Sequence, residues 1–194
     1  MKCRLIPALA MILVMPGSVL ATSADVNLLR QARSQAKIVA GELQQKVAAV
    51  VREEGPENAF SACRLNFAGV TDRLSDQSGW QIRRTAFRVR NPANAADDWE
   101  LDVLKRFVQR QQEGVDLQTF EFAKLLSVDG RRVFRYMKPI IMQDSCLPCH
   151  GQNLSPAVVR KIKEKYPGDQ ATGFAAGDLR GAFSLIKILP GELP

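Results

Sequence analysis

The sequence predicts an α+β domain with a long N-terminal amphipathic helix and an antiparallel sheet. Apolar residues recur every three or four positions from Asp25 to Glu54, and later segments alternate apolar and polar residues as strands do. An Asp129-Gly130 pair, typical of a tight hairpin turn, separates two of those segments. The chain has 194 residues, of which 46% are hydrophobic, and can bury one core but hardly two. We therefore treat residues 22–194 as one domain.

Residues 1–21 have the composition of a secretory signal peptide. Lys2 and Arg4 precede a short apolar run, and small residues follow up to Ala21. A membrane anchor is the alternative, but this run is well short of the roughly 20 residues that a spanning helix requires. We expect cleavage after Ala21 and export to the periplasm.

Two helices are predicted at the start of the mature chain. The first runs from Asp25 to Glu54, and Gly55 and Pro56 end it. In the second helix one face carries Phe60, Cys63, Phe67, Val70 and Leu74. We therefore expect Cys63 to point at the core. The first helix either packs on its own domain or pairs with a second copy of the chain as a homodimer.

Strands and helices alternate in the remainder of the chain. The predicted elements are a strand (79–89), a turn (91–94), a helix (97–112), two strands (120–128 and 132–142), a short helix (156–166) and a closing strand (181–189). Asp97, Asp98 and Glu100 crowd the start of the predicted helix, where acidic side chains suit the positive end of its dipole. The second strand of the hairpin runs directly into the next motif.

The segment C-L-P-C-H at residues 146–150 carries the strongest chemical signal. Its spacing lets the thiols of Cys146 and Cys149 add across the two vinyl groups of a haem, and His150 then reaches the iron from one side. Export leaves an odd number of cysteines in an oxidising compartment, Cys63 being the third, and haem attachment accounts for two of them. The motif predicts one covalent haem c.

Three alternatives compete with haem attachment. Cys146 and Cys149 could form a redox disulfide, although no thioredoxin-like βαβ pattern surrounds them. Zinc could be held by these two thiols together with Cys63 and His150, although the adjacent Cys149 and His150 would both have to turn toward one small ion. The third alternative is a chance match that leaves two free thiols.

Composition narrows the choice of a second axial ligand for such a haem. His150 is the only histidine, so the other usual ligand types are Met137, Met142 and Cys63. Both methionines lie on a predicted strand just before the motif, from which either would hardly reach the opposite haem face. Cys63 comes from a separate helix, although a free core cysteine is more often a small buried hydrophobic residue.

The chain is basic, with a formal net charge of +7. We expect no nucleic-acid partner, because the chain is exported and carries no nucleic-acid-binding motif. Two haem propionates are natural partners for buried arginines, whereas a solvated sheet face would explain the same strand pattern. The candidates for propionate contact lie on two predicted strands and are Arg83, Arg84, Arg90 and Arg135.

Most of residues 25–190 is covered by four segments: GPENAFSACR, RRTAFRVRNPANAADDWE, FRYMKPIIMQDSCLPCHG and YPGDQATGFAAGDLRGAFSL. Together they resemble the PAS-like c-type haem family of small exported proteins and extracytoplasmic sensor modules. The resemblance implies a PAS-like fold, one c-type haem, axial ligation by His150 and Cys63, and a role in redox or ligand sensing. The chain departs from the family at Phe87, where a basic or polar residue is frequent.

Two functions agree with these observations. The first is a redox or small-ligand sensor, which binds a gaseous ligand and acts through an unidentified redox or signalling partner protein. The second is a plain electron-transfer cytochrome. A haem enzyme is a more distant alternative, and we expect no enzymatic activity.

Overall fold

The computed structural model describes residues 23–56 and 59–192, and their side chains over 24–56 and 69–191. The predicted leader and the side chain of Cys63 lie outside the described residues. A long first helix and a four-stranded antiparallel sheet confirm the predicted α+β class with a PAS-like sheet. Over the described residues, no helix is both long enough and apolar enough to cross a membrane.

The part of the chain that the structure describes forms five α-helices and four strands. The helices are α1 (Ser23–Glu54), α2 (Ala59–Ser78), α3 (Asp98–Gln112), α4 (Leu147–His150) and α5 (Pro156–Lys165). The strands are β1 (Gln81–Thr85), β2 (Phe122–Val128), β3 (Arg131–Ile141) and β4 (Leu179–Glu192). In the sheet their order is β1-β4-β3-β2, and all neighbours are antiparallel.

Local sequence signals explain where several of these elements begin and end. The side chain of Asp97 accepts a hydrogen bond from the Glu100 backbone, and Glu100 returns one from the Asp97 backbone, so a capping box begins α3. Asp129 and Gly130 both have positive φ, which the hairpin turn between β2 and β3 requires.

Helices cover both faces of the sheet. On one face, α1 and α2 bury Trp80, Ile82, Phe134, Tyr136 and Leu185 together with their own apolar residues. On the other face, α3 packs Val103, Leu104 and Phe107 against Met137 and Ala182. Because side chains alternate across a strand, neighbouring residues of β1 and β3 point to opposite cores.

β1 is shorter than the predicted strand over 79–89. After Thr85 the chain leaves the sheet, and the Ala86 amide donates a hydrogen bond to the carbonyl of Asn94. Residues 88–90 then run beside residues 169–172, where the Gln170 amide donates to the carbonyl of Val89. Arg88 and Arg90, the basic residues of this segment, therefore lie outside the sheet and contact the loop beside α4.

Candidate functional site

The C-L-P-C-H segment lies at the end of β3. A 3-10 turn over Asp144–Cys146 follows the strand, and α4 adds a single helical turn. The helical spacing places Cys146, Cys149 and His150 on one side of that turn. Gly151 ends it, and a Cβ at that position would lie 2.7 Å from the Leu147 carbonyl oxygen, so only glycine fits.

Both cysteines of the motif are half-buried. Cys146 packs with Met142 and Phe174, and Cys149 packs against the buried face of α5. The sulfur of Cys149 lies 3.9 Å from the carbonyl oxygen of Pro56, in the turn between α1 and α2. The start of α2 therefore lies next to the motif.

The His150 imidazole is held in one orientation by a backbone carbonyl. Its Nδ1 lies 2.6 Å from the Ala171 oxygen, so this nitrogen carries the proton and donates. The lone pair of Nε2 is then available to a metal ion. Burial, followed by the charges of Arg90 and Arg180, lowers the pKa of His150 to about 3. The imidazole is neutral at physiological pH, as a metal ligand must be.

Arg90 fastens the segment 169–171 to the motif. Its Nε donates to Asp169 Oδ1 at 2.8 Å, and its Nη2 donates to the carbonyl oxygens of Cys149 at 2.8 Å and Ala171 at 3.3 Å. The side chains of Arg90 and Asp169 are only 12% and 5% exposed. We call this arrangement the Arg90–Asp169 clamp.

Further contacts fasten the same segment. The Phe174 amide donates to the His150 carbonyl at 3.0 Å, and the Gly173 amide donates to the Gly151 carbonyl at 2.8 Å. Arg88 Nε donates to the Gln170 carbonyl at 2.9 Å. The loop that orients the imidazole is therefore bound on both sides.

Positive charge accumulates around the imidazole. Arg180 donates to the Arg88 carbonyl at 3.0 Å, and its guanidinium lies over the Phe174 ring. Burial, followed by the charges of Arg84 and Arg90, lowers the pKa of Arg180 to about 10. The neighbouring positive charges make this region one in which a carboxylate would be stabilised.

The four arginines predicted to meet propionates fall into two pairs. Arg84 and Arg90 lie close enough to His150 to lower its pKa. Arg83 and Arg135 lie on the opposite face of the sheet, because consecutive residues of a strand alternate. The structure thus brings only the first pair to the motif. A contact between any of the four and a propionate stays a prediction.

Arg83 and Arg135 have a carboxylate partner of their own. The side chain of Glu100 is 0% exposed and lies 3.6 Å from Arg83 and 3.5 Å from Arg135. Arg135 also pairs with Asp97 at 2.7 Å and stacks on Trp99. We call Glu100, Arg83 and Arg135 the buried ion cluster. It connects α3 to the sheet.

Sequence reasoning missed two positions of the candidate site. Arg180 lies in the G-D-L-R-G-A-F segment, but a register shift between Ile140 and Ile141 sets its position and leaves no trace in the alternation. Ala171 acts through its carbonyl oxygen, so its side chain carries no signal. Only the proximity of His150 identifies either residue.

No group of three or more His, Cys, Asp or Glu side chains able to hold a metal ion occurs among the side chains that the structure describes, a set that omits Cys63. Cys146, Cys149 and His150, three of the four ligands of the zinc alternative, therefore do not form such a group, and the fourth, Cys63, lies outside the described side chains. A cavity of about 620 Å³ opens beside α4, and its walls include Pro56, Leu147, Gly151 and Phe174. There is thus open space next to the motif.

Comparisons with known proteins find similarity in both sequence and fold. The sequence profile of the Tll0287-like family matches residues 24–187. A solved structure, that of the cyanobacterial heme-protein Tll0287, is similar with a TM-score of 0.60 and 25% identity. The similarity covers 90% of this chain and 100% of that one. A search of curated proteins found no match. The profile match and the solved structure confirm the resemblance to haem proteins that the sequence motifs predict.

Proposed function

This chain belongs to the Tll0287-like family, and from that premise we propose that it is an exported, single-haem c-type cytochrome that acts as a redox or small-ligand sensor. The observation that carries the proposal is the geometry of α4. Two cysteines and a neutral imidazole share one side of a helical turn, and the imidazole presents an unprotonated Nε2. The similar cyanobacterial protein is itself described as a heme-protein.

The residues present fit a haem c. Cys146 and Cys149 would each add sulfur to one vinyl carbon and a proton to the other, so the attachment needs no oxidant. His150 would hold the iron through Nε2, with the Ala171 carbonyl keeping the ring in place. When bound, the haem supplies one-electron redox chemistry and an iron position at which a small molecule can coordinate.

Arg84 and Arg180 are the residues that best suit the haem propionates. Both lie in the positive region around His150, and the lowered pKa of Arg180 reflects burial beside other guanidinium groups. A propionate would supply the negative charge that such a group favours. Arg83 and Arg135 already face the carboxylate of Glu100, so we no longer favour them for this role.

Cys63 is our proposed second axial ligand. The contact between Cys149 and Pro56 brings the start of α2, the helix that contains Cys63, next to the motif. Met137 is fully buried in the core on the α3 face, and Met142 packs directly against Cys146. Neither methionine therefore suits the opposite side of a haem.

A thiolate at this position would couple redox state to a helix. The negative charge of Cys63 would favour ferric iron, and the thiolate becomes easier to protonate once the iron is reduced. Its release would open a coordination position to carbon monoxide, nitric oxide or another gas and would free α2 to move. A sensor without enzymatic activity, acting through a partner in the periplasm, agrees with such coupling.

The test is a set of absorption spectra of the purified protein, oxidised, reduced, and reduced under carbon monoxide. On a denaturing gel we expect a band that still stains for haem. The spectra should show a low-spin thiolate-bound iron in the oxidised protein and carbon monoxide binding in the reduced protein. Cys63→Ser should retain the haem but lose the thiolate spectrum, whereas the matched control Met137→Leu should leave it unchanged.

The outcomes separate the alternatives. A colourless protein with stoichiometric zinc, or with a disulfide between Cys146 and Cys149, would overturn the haem proposal. A six-coordinate spectrum in both redox states, with no carbon monoxide binding, would overturn the sensor and indicate an electron-transfer cytochrome. An unchanged oxidised spectrum in Cys63→Ser would exclude Cys63 as the ligand.

A further inference from the structure

We infer that the Arg90–Asp169 clamp positions His150, and thereby sets how firmly the imidazole is held at the iron. The inference rests on the proposed haem function, because the readout is a property of the bound histidine. Arg90 is a positioning residue, since it donates hydrogen bonds to the carbonyls on either side of the imidazole.

The clamp joins two pieces of chain that must keep a fixed separation. One guanidinium nitrogen of Arg90 donates both to the carbonyl of Cys149, the residue before His150, and to the carbonyl of Ala171, which accepts from His150. Its Nε pairs with Asp169, two residues before Ala171. One planar side chain therefore sets the distance between the backbone of α4 and the acceptor of the imidazole proton.

The planar guanidinium suits this task because it donates several hydrogen bonds in fixed directions. A lysine could keep the charge, but it could not hold a carboxylate and two carbonyls in the same plane. The side chains of Arg90 and Asp169 are nearly inaccessible to solvent, so water would not readily replace their contacts. Partners beyond the direct ligands typically alter metal binding by roughly 10- to 100-fold when they are lost.

A charge pair that acts only through its electrostatic field would affect the two variants differently from a clamp. Arg90→Gln removes a positive charge, and Asp169→Asn removes a negative one. If the pair acted only through its field, the two variants would shift the midpoint potential in opposite directions and leave the His150 hydrogen bond intact. If it is a clamp, both variants lengthen the same hydrogen bond whatever the sign of the charge change.

The experiment uses the haem-loaded protein in its reduced, carbon monoxide-bound state, in which the Nδ1 proton of His150 is visible by NMR. We expect Arg90→Gln and Asp169→Asn each to accelerate exchange of that proton by roughly tenfold, the factor that corresponds to losing one intramolecular hydrogen bond. Arg90→Lys keeps the charge and should show the same acceleration. Arg160→Gln, which changes an exposed arginine on α5, is the matched control and should not.

Two failures can be told apart. Wild-type protein without haem would overturn the proposed function before any variant is made. Haem-loaded protein whose proton exchange is unchanged in any one of the three clamp variants would overturn the clamp alone. If Arg90→Gln does not fold, Arg90→Lys and Asp169→Asn still decide, because either one with wild-type exchange contradicts the inference.

Discussion

Replacing Glu100 with glutamine measures what the buried ion cluster contributes to folding. In this structure the Asp97 amide donates to Glu100 Oε2 at 3.0 Å, and glutamine keeps an oxygen that can accept this hydrogen bond. The substitution removes the negative charge between Arg83 and Arg135. Removing one partner of a buried pair costs about 3–5 kcal/mol. Asp97 still pairs with Arg135, and the Arg83 side chain is 36% exposed. We therefore expect the lower end, about 3 kcal/mol.

Urea unfolding followed by circular dichroism at pH 7 gives this free energy of unfolding. For a chain of this size the expected loss corresponds to a melting temperature about 6–12 °C lower. Glu164→Gln is the matched control, because its side chain is 52% exposed and should contribute nothing measurable. A loss below about 1 kcal/mol for Glu100→Gln would refute the reasoning, since it would mean that solvent already screens the cluster.

Two further predictions concern stability. Gly181 has a φ of +156°, and a Cβ there would lie 2.3 Å from a backbone oxygen of β1, so Gly181→Ala should lose about 2–3 kcal/mol in urea unfolding, while the unobstructed Gly168→Ala should lose much less. Burial alone would raise the pKa of Glu121, but hydrogen bonds from Arg33 and Tyr136 outweigh it and hold the pKa below its ordinary value of 4.5. Its stabilising contribution is therefore complete above pH 4.5 and disappears as the pH falls through the lower folded pKa. Glu121→Gln should reduce the loss of stability at acidic pH. An unchanged pH dependence of the free energy of unfolding would contradict the assignment.

The elements could be predicted because their signals are local. The periodicity of α1, the capping residues of α3 and the Asp129-Gly130 turn each act over a few residues, and each element forms as predicted. The segment with Arg88 and Arg90 was harder, because its alternation is typical of a strand while its backbone bonds to a loop that lies far away in sequence.

The motif of the candidate site is visible in the sequence, but its surroundings are not. Cys146, Cys149 and His150 are adjacent in the chain, whereas their supports come from segments before and after them. Arg83 and Arg84 are chemically identical neighbours on β1 whose side chains point to opposite faces of the sheet. Arg83 therefore pairs with Glu100 of α3, whereas Arg84 lies near His150. Tertiary packing decides such roles.

The contact between Pro56 and Cys149 joins the end of α1 to the motif. The last of its fully buried residues is Leu43, and the helix from Leu43 to Glu54 is about 16 Å long. If a helix of that length tilts by about 10° about Leu43, its far end moves by about 3 Å. The tip carries the turn that touches the thiol of Cys149, so a movement at the motif would be passed to α1 as a tilt along its axis.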